Sequence, residues 1–306
     1  MNTSEAKALE APAAVSLKRI LIATDCSPAS ERALWHGLAI ARRFGASVDV
    51  VHIVDSLGFR MTGADVVVQA VELAQRDLKK LEAGLVRSGP LDGIPHRMLA
   101  EEESGEVWEA LYRLIRKNDI DLVVLGTHGR TGLKKLILGS VAEEVFRHSP
   151  CPVLTVGPCV APELIVTNPP QSILFPTDLS SESLQALPFA IEAARKCGAE
   201  LTLIHVLPAI SGEATGDRER VVEVIRGRLE SFVPDDAGLV RNPMCVVEEG
   251  YFPAVILNFV NAHQIDLIVL GLRSPEPYVN RLVWQHAYDI VCQARSPVLT
   301  LRSASF

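Results

Sequence analysis

The sequence predicts two tandem α/β domains, each a doubly wound sheet of five parallel strands, and three observations carry that prediction. The chain repeats itself: Arg19-Ile-Leu-Ile-Ala-Thr-Asp25 matches Ser172-Ile-Leu-Phe-Pro-Thr-Asp178 at an offset of 153 residues. Gly45-Ala-Ser-Val-Asp-Val-Val-His52 matches Gly198-Ala-Glu-Leu-Thr-Leu-Ile-His205 at the same offset. Further on, Gly105 falls on Gly250, Asp121 on Asp266 and Pro152-Val-Leu-Thr155 on Pro297-Val-Leu-Thr300, an offset of 145. The offset drops by eight between His205 and Gly250, so the second copy is shorter in its middle connection, where deletions are tolerated. The second observation is that short, continuously apolar runs alternate with helical segments, the pattern of a parallel sheet covered on both faces. The third is a stretch with four prolines, Pro158–Gln171, which reads as the linker between copies.

Taken in order, Ile20–Ala23 is an apolar strand, followed by a loop and a helix from about Ser30 to Phe44. Gly45 stands where a helix C-terminus favours a residue that accepts positive φ. Val48–Val54 is the second strand, and a long helix covers roughly Ala64 to Val86, with Val67, Ala70, Val71, Leu73 and Ala74 near helical spacing. A third strand lies near Ile94–Ala100, followed by a helix over Glu106–Lys117. Leu122–Leu125 and Val153–Val156 are the fourth and fifth strands, with a helix over Val141–Arg147 between them. Right-handed crossovers place ligands at the carboxyl ends of the strands, near the topological switch point. The expected organisation is a flexible tail over 1–17, a first domain over 18–157, a linker over 158–171 and a second domain over 172–306.

A chain of 306 residues is long enough for two domains with separate cores. Its net charge of -7 argues against a nucleic-acid or anionic-membrane binder. No apolar run approaches the ~20 residues needed to span a bilayer. The first residues, with Glu5, Lys7 and Glu10, lack the basic start and apolar core of a signal peptide. A cytoplasmic protein is therefore expected. The six cysteines, at 26, 151, 159, 197, 245 and 292, form no C-x-x-C pair and suggest neither a metal site nor a disulfide framework. Cys197 and Cys292 fall in helical segments as small hydrophobes, and Cys26, beside Asp25, is read as structural.

The richest local signal is Gly126-Thr-His-Gly129-Arg-Thr-Gly132-Leu-Lys-Lys-Leu-Ile-Leu-Gly139-Ser140, between the strand Leu122–Leu125 and the helix beginning near Val141. Glycines at the end of a strand let backbone N–H groups approach a ligand, and a helix N-terminus adds donors and a positive dipole end, a natural seat for phosphate. The loop is neither a P-loop nor a G-x-G-x-x-G dinucleotide fingerprint, because Gly126, Gly129 and Gly132 are spaced by three. Ser140 and Glu143 form S-x-x-E, a capping-box pattern that sets a helix start at Ser140.

G-x-x-G, nine residues, then Gly-Ser after an apolar strand, combined with Thr24-Asp25 and His52-Ile53-Val54, resembles the ATP-binding universal stress proteins, over nearly the whole chain as two tandem family domains. The resemblance implies a flavodoxin-like sheet of order 3-2-1-4-5 holding ATP across its carboxyl edge. On that basis Thr24 and Asp25 serve the adenine or its neighbourhood, and Ile53 supplies backbone contacts to the base. Gly126 and Gly129 let the chain pass close to ribose and phosphates. Gly139, Ser140 and Val141 bind phosphate oxygens, and His128, Arg130, Lys134 and Lys135 offset phosphate charge. Family members commonly pair through their last strands, so the resemblance also implies pairing of Val153–Val156 with Val298–Leu301 inside the chain, and further association of whole chains into a homo-oligomer.

The second copy departs from the pattern. Gly129 becomes Ser274, Gly132 becomes Pro277, Gly139 becomes Trp284 and Ser140 becomes Gln285, while Gly271 and Thr177-Asp178 survive. Proline removes a donor, and tryptophan fills space a phosphate would need. Three functions follow for weighing. The leading one is a regulatory protein that holds ATP in the first domain, with the second as a dimer-like partner. Another is a weak ATPase or phosphotransferase, with His128 or Asp25 assisting water and Mg²⁺ bridging phosphates. The third is an interaction protein that needs no nucleotide. No nucleophile set and no metal site falls at convincing positions.

Overall fold

The computed structural model describes residues 16–56, 64–127, 138–160, 169–209, 215–272 and 281–302. The first half contains β1 (Arg19–Ala23), α1 (Pro28–Phe44), β2 (Ser47–Asp55), α2 (Ala64–Ser88), β3 (His96–Glu103), α3 (Val107–Lys117), β4 (Leu122–Gly126), α4 (Ser140–His148) and β5 (Val153–Val156). The second contains β6 (Ser172–Pro176), α5 (Ser181–Leu184), α6 (Leu187–Cys197), β7 (Glu200–Leu207), α7 (Thr215–Ser231), β8 (Met244–Glu249), α8 (Phe252–His263), β9 (Leu267–Leu272), α9 (Arg281–Gln293) and β10 (Val298–Arg302). Most of the tail lies outside the described residues, but Leu17 is buried in the core and belongs with the first half.

Local chemistry explains the element limits. Ser27 caps α1 in a reciprocal capping box with Ser30, Pro28 occupies the first turn, and Gly45 closes the helix at φ 69°. Gly198 closes α6 in the same way at φ 67°. The first helix of the second half is broken into α5 and α6 because Pro188, standing where the first half has Trp35, cannot donate to the preceding turn. The shortening of the second copy lies in α7, which has 17 residues where α2 has 25, while the connection from α7 to β8 is longer than that from α2 to β3.

All strands form one sheet of order β3-β2-β1-β4-β5-β10-β9-β6-β7-β8. Within each half the order is 3-2-1-4-5 and every pair is parallel. At the seam β5 and β10 run antiparallel, pairing Val298 with Thr155, Leu299 with Leu154 and Thr300 with Val153. Alternation along the strands feeds two cores, one on each face. Ile20, Ile22, Leu122, Leu154, Ile173, Leu299 and Leu301 belong to the face covered by α1 and α6. Leu21, Val123, Val153, Leu174, Ile268 and Val298 belong to the face covered by α3, α4, α8 and α9. Each core therefore runs through the seam, and both faces of the last strands hold the halves together. Asp121 accepts from the backbone N–H groups of Lys18 and Arg19 at 2.7 and 2.9 Å, and Asp266 does the same for Gln171 and Ser172 at 2.8 and 3.1 Å. This repeated aspartate anchors the start of the first strand of each half.

On the α1/α6 face a cavity of about 700 Å³ spans the seam, with Trp35, His36, Phe189, Leu154 and Leu299 among its walls. His36 occupies the position of Phe189 in the repeat. Burial pushes its imidazole down to about 4, and its Nε2 has no hydrogen-bond partner among the described residues. Between pH 6.5 and about 4 the unfolded chain therefore binds a proton here that the folded chain refuses, so folding stability falls as pH drops through that window. His36→Phe should flatten this part of the stability profile, by at most ~3 kcal/mol at the acid end. Urea unfolding at pH 7.5 and pH 4.5 on both proteins checks this, with a smaller pH difference expected for the variant.

Candidate functional site

The loop between β1 and α1 has a tightly specified shape. The Thr24 hydroxyl lies 3.0 Å from Ser30 Oγ and accepts the Cys26 N–H at 3.0 Å, and Asp25 Oδ1 accepts the Ser27 N–H at 3.0 Å. Cys26 adopts φ 58°, a left-handed conformation that is costly for a residue with a side chain. The second half repeats the device: Thr177 lies 2.8 Å from Ser183 Oγ and accepts from Leu179 at 3.0 Å, Asp178 accepts from Ser180 at 3.0 Å, and Leu179 has φ 63°. Cysteine and leucine take the same strained conformation in the two loops. The shape therefore comes from the Thr-Asp pair and the serine cap, and this geometry alone does not distinguish the two copies as ligand sites. The Cys26 thiol sits 4.0 Å from His52 Nδ1.

Ile53 is placed by the end of β1. The Thr24 N–H bonds the Val51 carbonyl at 2.9 Å, which closes the β1–β2 ladder. With a period of two, the Ile53 amide and carbonyl face the same edge of β2, beyond that last bond. The strand runs on to Asp55, one residue past the limit expected from sequence, so Ile53 lies within β2. Its side chain packs partly buried against the α3/α4 face.

Gly126 ends β4, and a Cβ there would lie 3.1 Å from the Ala29 carbonyl oxygen at the start of α1. At Gly271, the equivalent position, a Cβ would lie 2.2 Å from the Ser183 carbonyl oxygen. Strand-to-helix packing thus excludes a Cβ at Gly271 and crowds one at Gly126, whatever binds nearby. That is why Gly271 persists in the copy that has lost the other glycines.

The capping-box reading of Ser140 needs correction. The N-cap of α4 is Gly139, at φ -65° and ψ 153°, with no side-chain cap, and Ser140 is the first helical residue. Glu143 does not reach back to a cap: its carboxylate pairs with Arg147 at 2.8 Å along the helix. The Gly139 N–H donates to the Thr127 carbonyl at 2.7 Å, and its own carbonyl accepts from Glu143 at 2.8 Å. The next amides, of Ser140, Val141 and Ala142, are those a helix leaves unsatisfied at its start, and no partner for them occurs among the described residues. Ser140 is exposed and Val141 half-buried, so this end of α4 opens outward. Small Gly139, unsatisfied amides and the helix dipole together suit an anion. His128, Gly129, Arg130, Lys134 and Lys135 lie outside the described residues.

In the second half the corresponding helix starts earlier. α9 begins at Arg281, four residues ahead of Gln285, the equivalent of Ser140. The amides equivalent to those of Ser140, Val141 and Ala142 fall inside α9, where the helix's own carbonyls engage them. The sequence flagged Trp284 and Gln285 as substitutions, but not the longer helix that carries them.

Other chemistry is limited. Burial pushes the thiols of Cys151, Cys245 and Cys292 up to about 11, which keeps them protonated at neutral pH. Among the described residues no group of three or more His, Cys, Asp or Glu could hold a metal ion. No described helix is long and apolar enough to cross a membrane. One residue that sequence reasoning missed reaches the site from the other half: the Leu138 N–H, just before Gly139, donates to the Tyr288 hydroxyl at 2.9 Å. The repeat places Tyr288 opposite Glu143, a mismatch that carries no signal by itself.

The universal stress protein family model matches residues 16–157 and again 170–302. A universal stress protein of Methanocaldococcus jannaschii is 34% identical over 150 residues, covering 45% of this chain and 81% of that protein. Universal stress protein A homolog 1 of Coxiella burnetii is 32% identical over 139 residues, 45% of this chain and 95% of its own length. The crystal structure of a universal stress protein from Archaeoglobus fulgidus superposes with a TM-score of 0.67 at 20% identity, covering 93% of this chain and 98% of that one, a likeness of fold. Two matches that together span both halves, on a doubly wound sheet of the expected order, place this chain in the universal stress protein family, as two tandem family domains.

Proposed function

We propose that this chain is an ATP-holding regulatory protein with one nucleotide pocket, in the first half, and that the second half acts as its built-in dimer partner. The observation that carries this reading is the contrast at one helix start: α4 opens on Gly139 with first-turn amides that have no partner among the described residues, and α9 runs through the equivalent position. In the bound state Ile53 would offer its backbone edge to the base, Asp25 would face the base or ribose from its turn, and Gly139, Ser140 and Val141 would take phosphate oxygens. His128, Gly129 and Arg130, outside the described residues, would supply further phosphate contacts. Mg²⁺ would accompany the nucleotide's phosphates.

The β5–β10 pairing supports the partner role, because joining two domains in one chain gives their association a high effective concentration. It also covers two apolar strands that would otherwise be open edges. Any homo-oligomer of whole chains would have to use another surface, since both last strands are consumed at the seam. A cytoplasmic location fits the need for a pool of ATP.

Mass spectrometry of protein purified without added nucleotide tests the reading. Co-purified ATP is the expected result. ADP would point to slow hydrolysis, and a site that stays empty even after incubation with millimolar ATP would favour a nucleotide-independent interaction protein.

A further inference from the structure

We infer that the second half positions the phosphate-binding end of α4 in the first half through the Tyr288 hydroxyl, so that the nucleotide site is incomplete without it; this rests on the ATP reading above. Two consecutive amides lead into α4, and each is held. The Gly139 N–H donates to the Thr127 carbonyl at 2.7 Å, and Thr127 is itself fixed by donating to the Val156 carbonyl at 3.1 Å. The Leu138 N–H donates to the Tyr288 hydroxyl at 2.9 Å, across the seam, and the Leu138 side chain is 2% exposed. The end of β4 and the start of α4 are thus registered from both sides, by β5 of their own half and by α9 of the other. Donors aimed in advance at a charged ligand bind it better, because no reorganisation is required when it arrives.

The placement of α9 that allows this is built into the seam. Gly157, directly after β5, stands where a Cβ would lie 2.7 Å from the Val291 carbonyl oxygen of α9, so only glycine lets the helix come this close. Tyr288 is one turn earlier on the same helix. The device is one-sided. The residue equivalent to Tyr288 in the first half is Glu143, whose carboxylate is committed to Arg147 on its own helix. Coupling therefore runs from the second half to the first, the half with an open helix start. Burial holds the Tyr288 phenol above its ordinary range, so the group at Leu138 is a neutral hydroxyl.

The test compares the full-length wild type with Tyr288→Phe, which keeps the ring and removes the acceptor. The probes are ATP and adenosine by calorimetric titration, and amide hydrogen exchange at Leu138 without ligand. ATP affinity should fall about three- to tenfold, as expected for one lost hydrogen bond. Adenosine affinity should stay unchanged, since it does not reach α4, and Leu138 should exchange several-fold faster. A merely structural role would weaken both ligands together. Equal weakening of ATP and adenosine, or an unchanged ATP affinity, overturns the inference. If the wild type binds no ATP, the ATP reading fails instead. Leu138 exchange then decides alone: faster in the variant supports the positioning contact, and unchanged exchange overturns it.

Discussion

Leu299→Asp should split the ten-stranded sheet into two separately melting halves. Leu299 pairs directly with Leu154 across the seam, and the two are 3% and 1% exposed. β5 has four residues and meets β10 in three pairs, so no long ladder is available to absorb a misplaced charge. A buried carboxylate with no cationic partner costs roughly 3–5 kcal/mol, comparable to the whole docking energy of two small domains. Calorimetry should resolve two transitions in place of one, and X-ray scattering should give a larger radius of gyration. Val298→Asp should act alike from the other face, where Val298 is fully buried. A single transition at unchanged temperature in both variants would mean that the halves are held together by something other than their last strands. Two contacts close to the seam reinforce it: Arg43 donates to the Lys196 carbonyl, and Arg302 donates to the Arg147 carbonyl at 2.5 Å.

Gly139→Trp should abolish ATP binding, by about a hundredfold or more, and leave the fold intact. The substitution copies Trp284 of the second half into the first. Gly139 has φ -65° and ψ 153°, a conformation open to any residue, so the backbone sets no penalty. A Cβ there would lie 3.2 Å from the Thr127 carbonyl oxygen, a contact that a shift of a few tenths of an ångström relieves. The indole would then stand over the unsatisfied amides of α4 and exclude phosphate from them. Losing two or more charge-assisted hydrogen bonds accounts for the size of the effect. Titration with ATP, beside a thermal melt, separates loss of the site from loss of the fold. An affinity within threefold of wild type would remove Gly139 from the site.

The sequence disclosed most of the architecture because the repeat and the strand periodicity are both one-dimensional signals. Alternating apolar strands and helices gave the parallel sheet, and Gly45 and Gly198 marked helix ends that depend only on local φ. What it could not disclose depends on contacts between distant residues. S-x-x-E at Ser140 is a sound local pattern, yet the cap moved to Gly139 because Thr127 holds that residue from the preceding strand. The glycine shared by both copies looked like a ligand-facing residue, but the carbonyl of an adjoining helix start crowds a side chain there, mildly at Ala29 in one half and prohibitively at Ser183 in the other. Choosing which face of the last strands meets the partner was undecidable from sequence, since both do. The four-residue extension of α9 past the degenerate site, and Tyr288 from that helix, became visible only in three dimensions.

The proposed function gives a chain of two similar domains one working nucleotide pocket. Native mass spectrometry of the intact chain, titrated with ATP to well above saturation, counts bound nucleotides directly. A single ATP per wild-type chain and none on Gly139→Trp is the expected result; two per chain, or one that survives Gly139→Trp, would overturn the single-pocket reading.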